Sequence, residues 1–168
     1  MNYAKIKYCD ISNGPGVRTS LFVSGCRMAC KNCFNPEAWD FSYGSPFTED
    51  VETEILRSLK PGHIAGLSVL GGEPFEPENQ AGLLSFLRKV KQAFPEKKLW
   101  CYTGFTLEEL RGSEPCRAKT EHTEALLSCI DVLVDGPFRE EFKDISLKFR
   151  GSSNQRVIEL TGGAESQL

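Results

Sequence analysis

The chain has 168 residues, of which 40% are hydrophobic and 26% charged, and its formal net charge is −3. This length and composition are ordinary for one globular domain with its own core. The slightly acidic balance, without a long basic run, excludes nucleic acid as an expected partner. We therefore expect a single domain over residues 1–168, with a frayed tail over residues 161–168.

The cysteine content indicates a cellular compartment. The sequence carries seven cysteines, an odd number. The first residues lack the apolar segment of a signal peptide, and no stretch is apolar enough over the length needed to cross a bilayer. Such a chain is expected to keep its thiols reduced rather than to form a disulfide framework. We therefore expect a cytoplasmic protein with no membrane partner.

In chain order, the first predicted element is a strand over residues 17–23, where the two faces alternate after a turn rich in glycine and proline. Residues 48–59 carry an apolar stripe at helical spacing behind Thr48, a suitable N-cap, and a second such stripe covers residues 78–94. Residues 112–120 are predicted to form a surface loop before a short helix that ends at Leu126. Further strands are predicted at residues 67–70, 99–102, 131–134 and 157–160.

This alternation predicts an α/β fold with five to six mostly parallel strands. A closed eight-stranded barrel needs about 250 residues, so the shorter chain predicts a partial, open (β/α) barrel. The chemically unusual residues all follow the carboxyl ends of predicted strands, which is the edge where parallel α/β folds carry their sites. They occupy residues 26–33, 71–73, 103–104 and 135–136.

Three cysteines, Cys26, Cys30 and Cys33, lie within eight residues, directly after the first predicted strand. Thiolates in one loop can converge on a soft metal or on an iron–sulfur cluster. Structural zinc normally takes four protein ligands, so a zinc site would need a fourth ligand from another segment. The candidates for that ligand are Cys9, Cys101 and His63. A [4Fe–4S] cluster held by three cysteines would instead keep one iron open, and the spacing alone leaves both possibilities.

A second motif, formed by Gly71, Gly72 and Glu73, follows the next predicted strand. Glycines allow a backbone to approach a ligand closely, and a carboxylate can accept hydrogen bonds from an ammonium group. The same residues also fit a plain turn between a strand and a helix. Taken alone, the motif fits both interpretations.

Together, the cysteine loop and the Gly-Gly-Glu turn resemble the radical S-adenosylmethionine superfamily. The resemblance implies that Cys26, Cys30 and Cys33 hold a [4Fe–4S] cluster whose open iron binds S-adenosyl-L-methionine. It also implies that the turn at residues 71–73 contacts this cofactor. One departure is Asn32, which precedes the third cysteine where many members carry an aromatic residue.

Further stretches resemble glycyl-radical-enzyme activases and, among them, the branch that activates the anaerobic ribonucleoside-triphosphate reductase. These stretches are residues 13–18, 21–26, 33–35 with Trp39, 100–105, 131–136 and 150–156. The last one, RGSSNQR, is the most specific, because activases of the pyruvate formate-lyase type lack it. Leu70, where a serine is common, and Pro137, where some members have lysine, depart from the pattern.

The resemblance implies an enzyme that takes an electron from a donor such as flavodoxin or ferredoxin. It implies reductive cleavage of S-adenosylmethionine to a 5′-deoxyadenosyl radical, which removes hydrogen from a glycine of the reductase. Thr103 and Asp135 are further candidates for contacts with S-adenosylmethionine, although both also fit ordinary turns. The alternatives are an activase of another glycyl radical enzyme, such as pyruvate formate-lyase, and a cysteine-rich metal-binding or electron-transfer module without catalysis.

Overall fold

The computed structural model describes residues 1–112, 115–160 and 166–167. Its strands are β1 (Asn2–Asp10), β2 (Val17–Val23), β3 (Ser45–Pro46), β4 (Ile64–Gly71), β5 (Lys98–Tyr102), β6 (Val132–Asp135), β7 (Arg156–Glu159) and β8 (Ser166–Gln167). Its helices are α1 (Glu49–Leu59), α2 (Pro77–Ala93), α3 (Leu107–Arg111) and α4 (Thr123–Leu127), with 3-10 helices at Pro36–Trp39 and Glu140–Phe142. Within these ranges no helix has the length and apolar character needed to cross a membrane.

All the described strands belong to one sheet, in the order β3-β1-β2-β4-β5-β6-β7-β8. The four central strands β2, β4, β5 and β6 are parallel. Strand β1 pairs with β2 and strand β7 with β6, both antiparallel. The α/β class is therefore confirmed, whereas the prediction of mostly parallel strands is correct only for the middle of the sheet. The described strands run from β3 at one edge to β8 at the other, so a barrel is not confirmed.

The predicted count of five to six strands is wrong, because the sheet has eight. Strand β1 lies beside the short edge strand β3, and most of its side chains are exposed or half-buried. Such a strand carries little of the apolar alternation from which strands are predicted. Strands β3 and β8 have two residues each, which is too short for any periodic pattern.

Strand β2 and the two longest helices agree closely with the sequence pattern. Strand β2 has the predicted bounds, and α1 and α2 begin and end within one residue of the predicted ones. Helix α3, in contrast, was not predicted. In the predicted surface loop, residues 113–114 lie outside the described residues, as do residues 161–165 and 168 of the predicted frayed tail.

The two faces of the sheet have different surroundings. Alternate side chains such as Leu21, Val69 and Leu133 are fully buried in the main core, together with apolar residues of α1, α2 and α4. A smaller cluster around Trp100 and Val134 lies apart from that core. The helices therefore cover one face, while the carboxyl ends of the parallel strands are left to build a site.

Candidate functional site

The three cysteines lie in a loop whose two ends are hydrogen-bonded to each other. After β2, the backbone N–H of Gly25 donates to the carbonyl of Ala38 at 2.8 Å, and that of Cys26 donates to the carbonyl of Trp39 at 3.2 Å. The 3-10 helix Pro36–Trp39 thus returns the chain to the point where the loop begins. Within the loop, Asn32 has a φ of 58°, a conformation that asparagine tolerates better than an aromatic residue does. The backbone before Cys33 therefore suits an asparagine.

A cavity of about 420 Å³ lies at the carboxyl ends of β4, β5 and β6. Its volume is within the range of small-molecule sites. Seven of the eight predicted site residues line it, namely Cys26, Cys30, Cys33, Gly71, Gly72, Glu73 and Thr103. The structure therefore brings the cysteine loop and the Gly-Gly-Glu turn together from segments far apart in the sequence.

The double glycine packs the turn directly against the cysteine loop. The N–H of Gly72 donates to the carbonyl of Val23 at 2.7 Å, and that of Glu73 donates to the carbonyl of Gly25 at 2.8 Å. A Cβ atom on Gly72 would lie 2.6 Å from the carbonyl oxygen of Gly25 and 2.9 Å from that of Ala38. Gly71 has a φ of 110°, which side-chain-bearing residues rarely adopt. The glycines therefore permit contact between two loops, a role that the sequence did not reveal.

The carboxylate of Glu73 ties the turn after β4 to the turn after β5. It accepts hydrogen bonds from the hydroxyl of Thr103 at 2.8 Å, the N–H of Gly104 at 2.7 Å and the N–H of Phe75 at 2.9 Å. Burial raises the pKa of Glu73 to about 7, although these hydrogen bonds oppose the rise. Two predicted site residues, Glu73 and Thr103, thus contact each other in the wall of the cavity.

Asp135 lies behind the cavity wall rather than in it. Its carboxylate accepts hydrogen bonds from the N–H of Leu107, at 2.8 Å, and from Nε of Arg156, at 3.0 Å. The guanidinium of Arg156 also donates to both carboxylate oxygens of Glu108, on α3. Asp135 therefore joins β6, β7 and the start of α3, while its neighbour Gly136 lines the cavity.

The RGSSNQR stretch shapes the same wall through Gln155, which the sequence did not single out. The side-chain amide of Gln155 donates to the carbonyl of Gly136 at 3.2 Å. Its oxygen accepts hydrogen bonds from the N–H groups of Gly151 and Ser152 at 2.9 and 3.1 Å. Arg150, Gly151 and Gln155 all line the cavity. The motif was recognisable in the sequence, but its contacts with Gly136 depend on the folded chain.

The donor set suits an iron–sulfur cluster, because three thiols line one cavity. All seven cysteines are free thiols, and burial raises the pKa values of Cys26, to about 12, and of Cys30. Among the described residues, no group of three His, Cys, Asp or Glu side chains is arranged to hold one metal ion. A zinc ion needs its ligands at one centre, whereas the cysteines of a cluster each bind a different iron.

The proposed extra zinc ligands do not line the cavity. Cys9 is exposed on β1, His63 is exposed before β4, and Cys101 is buried in the main core. Three thiols therefore line the cavity, and none of the three residues considered as a fourth zinc ligand joins them there.

The chain matches a family model described as a 4Fe-4S single cluster domain over residues 12–158. It is 44% identical over 163 residues to the anaerobic ribonucleoside-triphosphate reductase-activating protein of Pasteurella multocida. This alignment covers 96% of this chain and 99% of that protein. The protein of the same name from Escherichia coli K12 is 39% identical, with 95% and 99% coverage. The one from Enterobacteria phage T4 is 36% identical, with 97% of each chain covered.

Proposed function

Because this chain belongs to the family of anaerobic ribonucleoside-triphosphate reductase-activating proteins, we propose that it activates such a reductase by generating a glycyl radical on it. The observation that supports this most strongly is that the cysteine loop, the double-glycine turn and Thr103 line one cavity. The reductase is proposed as the partner because the relatives are named for activating it. The three thiols would be the ligands of a [4Fe–4S] cluster.

Cys26, Cys30 and Cys33 would hold the [4Fe–4S] cluster, and the wall at residues 71–73 together with Thr103 would hold S-adenosyl-L-methionine. Asp135 would contribute to the S-adenosylmethionine site by keeping the adjoining Gly136 at the cavity wall. These two groups would supply a one-electron cleavage of S-adenosylmethionine to methionine and a 5′-deoxyadenosyl radical, which would take a hydrogen atom from the reductase's glycine and become 5′-deoxyadenosine. The electron would come from a small donor protein such as flavodoxin or ferredoxin, in the cytoplasm.

The protein itself supplies position and exclusion of water. Apolar side chains, including Leu70, Phe138 and Leu147, form part of the cavity wall and limit hydration. The hydrogen bonds of Glu73 fix the wall between β4 and β5, so that a bound ligand meets a rigid surface. We further propose that the sheet curves around this cavity as a partial barrel, whose open side admits the glycine-bearing segment of the reductase.

The test is incubation of the anaerobically reconstituted, reduced protein with S-adenosylmethionine and the reductase. We expect a glycyl radical signal on the reductase in electron paramagnetic resonance, together with 5′-deoxyadenosine. Formation of 5′-deoxyadenosine without a radical on this reductase would point to another glycyl radical enzyme as the partner. A chain that holds a cluster but yields neither product would be an electron-transfer or metal-binding module.

A further inference from the structure

A buried carboxylate outside the predicted motifs holds the beginning of the cysteine loop. Glu76 precedes α2, and its side chain is fully buried. Its Oε1 atom accepts a hydrogen bond from the backbone N–H of Arg27 at 2.8 Å, and its Oε2 atom pairs with the guanidinium of Arg27 at 2.7 Å. Arg27 directly follows Cys26, so both bonds act on the backbone beside the first cysteine.

A second arginine binds the same carboxylate and reaches the next residue of the loop. The guanidinium of Arg117 lies 3.4 Å from Oε1 of Glu76 and 2.8 Å from the sulfur of Met28. It also lies over the ring of Phe105, at 4.7 Å from the ring centre. Of the two residues that follow Cys26, Arg27 is therefore held by Glu76, and Met28 is held by Arg117, which binds the same carboxylate.

Because Glu76 is buried, its carboxylate needs the hydrogen bonds and the cations that the cysteine loop and Arg117 provide. A carboxylate removed from water is costly unless cations and hydrogen-bond donors satisfy it. Two of the groups that satisfy Glu76, the N–H and the guanidinium of Arg27, belong to the cysteine loop itself. If the loop moved away, it would leave a buried charge without these partners, so the carboxylate favours one position of the loop.

Glu78 provides an internal comparison. It also pairs with the guanidinium of Arg27, but its side chain is 49% exposed, and within the described part of the chain no hydrogen bond joins it to the backbone of the cysteine loop. This pair is bidentate, but both partners are about half exposed to solvent, so losing it costs less than leaving a buried carboxylate without its partners. The two carboxylates thus share one arginine and differ in burial and in their contact with the backbone beside Cys26.

We propose that Glu76 is a positioning residue for the iron–sulfur cluster, which holds Cys26 in place through the N–H and guanidinium of Arg27. This inference rests on the proposed function, because it takes Cys26, Cys30 and Cys33 as the cluster ligands. Residues that orient ligands in this way typically change metal affinity or activity by about 10- to 100-fold when they are removed. Glu76 therefore controls how firmly the cluster is retained.

The test compares full-length chains reconstituted with iron and sulfide under anaerobic conditions. The rate of iron release to a chelator is measured for wild type, Glu76→Ala, Glu76→Gln and the control Glu78→Ala. Circular dichroism of each apo chain fixes a temperature at which all are folded, and electron paramagnetic resonance records the reduced cluster. We expect release about 10- to 100-fold faster for Glu76→Ala, an altered cluster spectrum, and a change below about twofold for Glu78→Ala.

Glu76→Gln keeps an oxygen for the N–H of Arg27 but loses the charge, so we expect release several-fold faster than wild type. If Glu76→Ala does not fold, the rate of iron release from Glu76→Gln tests the positioning role instead. Wild-type release rates in the Glu76 variants, or equal acceleration in Glu78→Ala, would overturn the positioning role while leaving the proposed function intact. A wild-type chain that takes up no iron would overturn the proposed function, and the role of Glu76 with it.

Discussion

At the scale of single residues, Gly72 shows how the two parts of the site depend on each other. Its backbone lies against the carbonyl oxygens of Gly25 and Ala38, which belong to the closed base of the cysteine loop. These are backbone atoms in a hydrogen-bonded structure, so they cannot rotate away as a flexible side chain would. Gly72 therefore belongs to the turn after β4 and also supports the cysteine loop.

We predict that Gly72→Ala lowers the free energy of unfolding by roughly 1–3 kcal/mol, because the added methyl group overpacks this contact. Urea denaturation of the apo protein measures that loss, and iron per chain after reconstitution should fall as the loop is displaced. Gly62→Ala is the matched control, since a Cβ there meets nothing within 4 Å. Equal stability and iron content in the two variants would show that the contact between the loops is unimportant.

At the scale of elements, Arg156 is the link between β7, β6 and α3. Its guanidinium binds the buried Asp135 and the exposed Glu108 at the same time. The two arms differ in energy, because removing the cation from a buried carboxylate costs far more than breaking an exposed pair. Because Gly136 follows Asp135 directly, this link also supports the cavity wall.

We predict that Arg156→Met lowers the free energy of unfolding by about 3 kcal/mol, since Asp135 would stay buried without its cation. Glu108→Gln, which removes only the exposed arm, should cost less than about 1 kcal/mol. Chemical denaturation of the two variants at neutral pH gives both values. Similar losses in both variants would contradict the assignment of the stabilising role to the Asp135 arm.

The Glu108 arm should also show in the pH dependence of stability. Hydrogen bonds from Arg156 are the main cause that lowers the pKa of Glu108 to about 2. Because Glu108 is exposed, solvent screening keeps the corresponding stabilisation below about 1 kcal/mol. A lowered carboxyl pKa stabilises the folded chain above the unfolded value of about 4.3, and this stabilisation is lost as pH falls towards 2. Wild type should therefore exceed Glu108→Gln in stability at pH 6, and the difference should shrink steadily below pH 4. A difference that does not vary with pH would contradict this account.

At the scale of the whole molecule, the elements that the sequence predicted well are those that bury one face. Strand β2 and helices α1 and α2 each present apolar side chains to the main core, which imposes the periodicity that prediction uses. Strand β1 gives a weaker pattern, because its side chains that pack against the main core, such as Tyr3 and Ile6, are partly buried. Helix α3 has only five residues, although the capping box of Thr106 and Glu109 was a signal that could have located it.

Part of the candidate site could likewise be predicted from the sequence, and part could not. The cysteine spacing and the Gly-Gly-Glu turn are local patterns, and the structure brings them to one cavity. The partners that hold them are distant in sequence: Glu76 contacts Arg27 across 49 residues, and Gln155 contacts Gly136 across 19. Such pairs leave no periodic trace, so they were found only in the folded chain.

The most direct test of the account is the metal content of the purified chain after anaerobic reconstitution, measured as iron, sulfide and zinc per chain. We predict about four irons and four sulfides per chain. Cys30→Ser should abolish the cluster, whereas Cys116→Ser should keep it, because Cys116 lies outside the cavity. Stoichiometric zinc with no uptake of iron, or loss of the cluster on changing Cys116, would contradict the assignment of Cys26, Cys30 and Cys33 as the ligands of an iron–sulfur cluster.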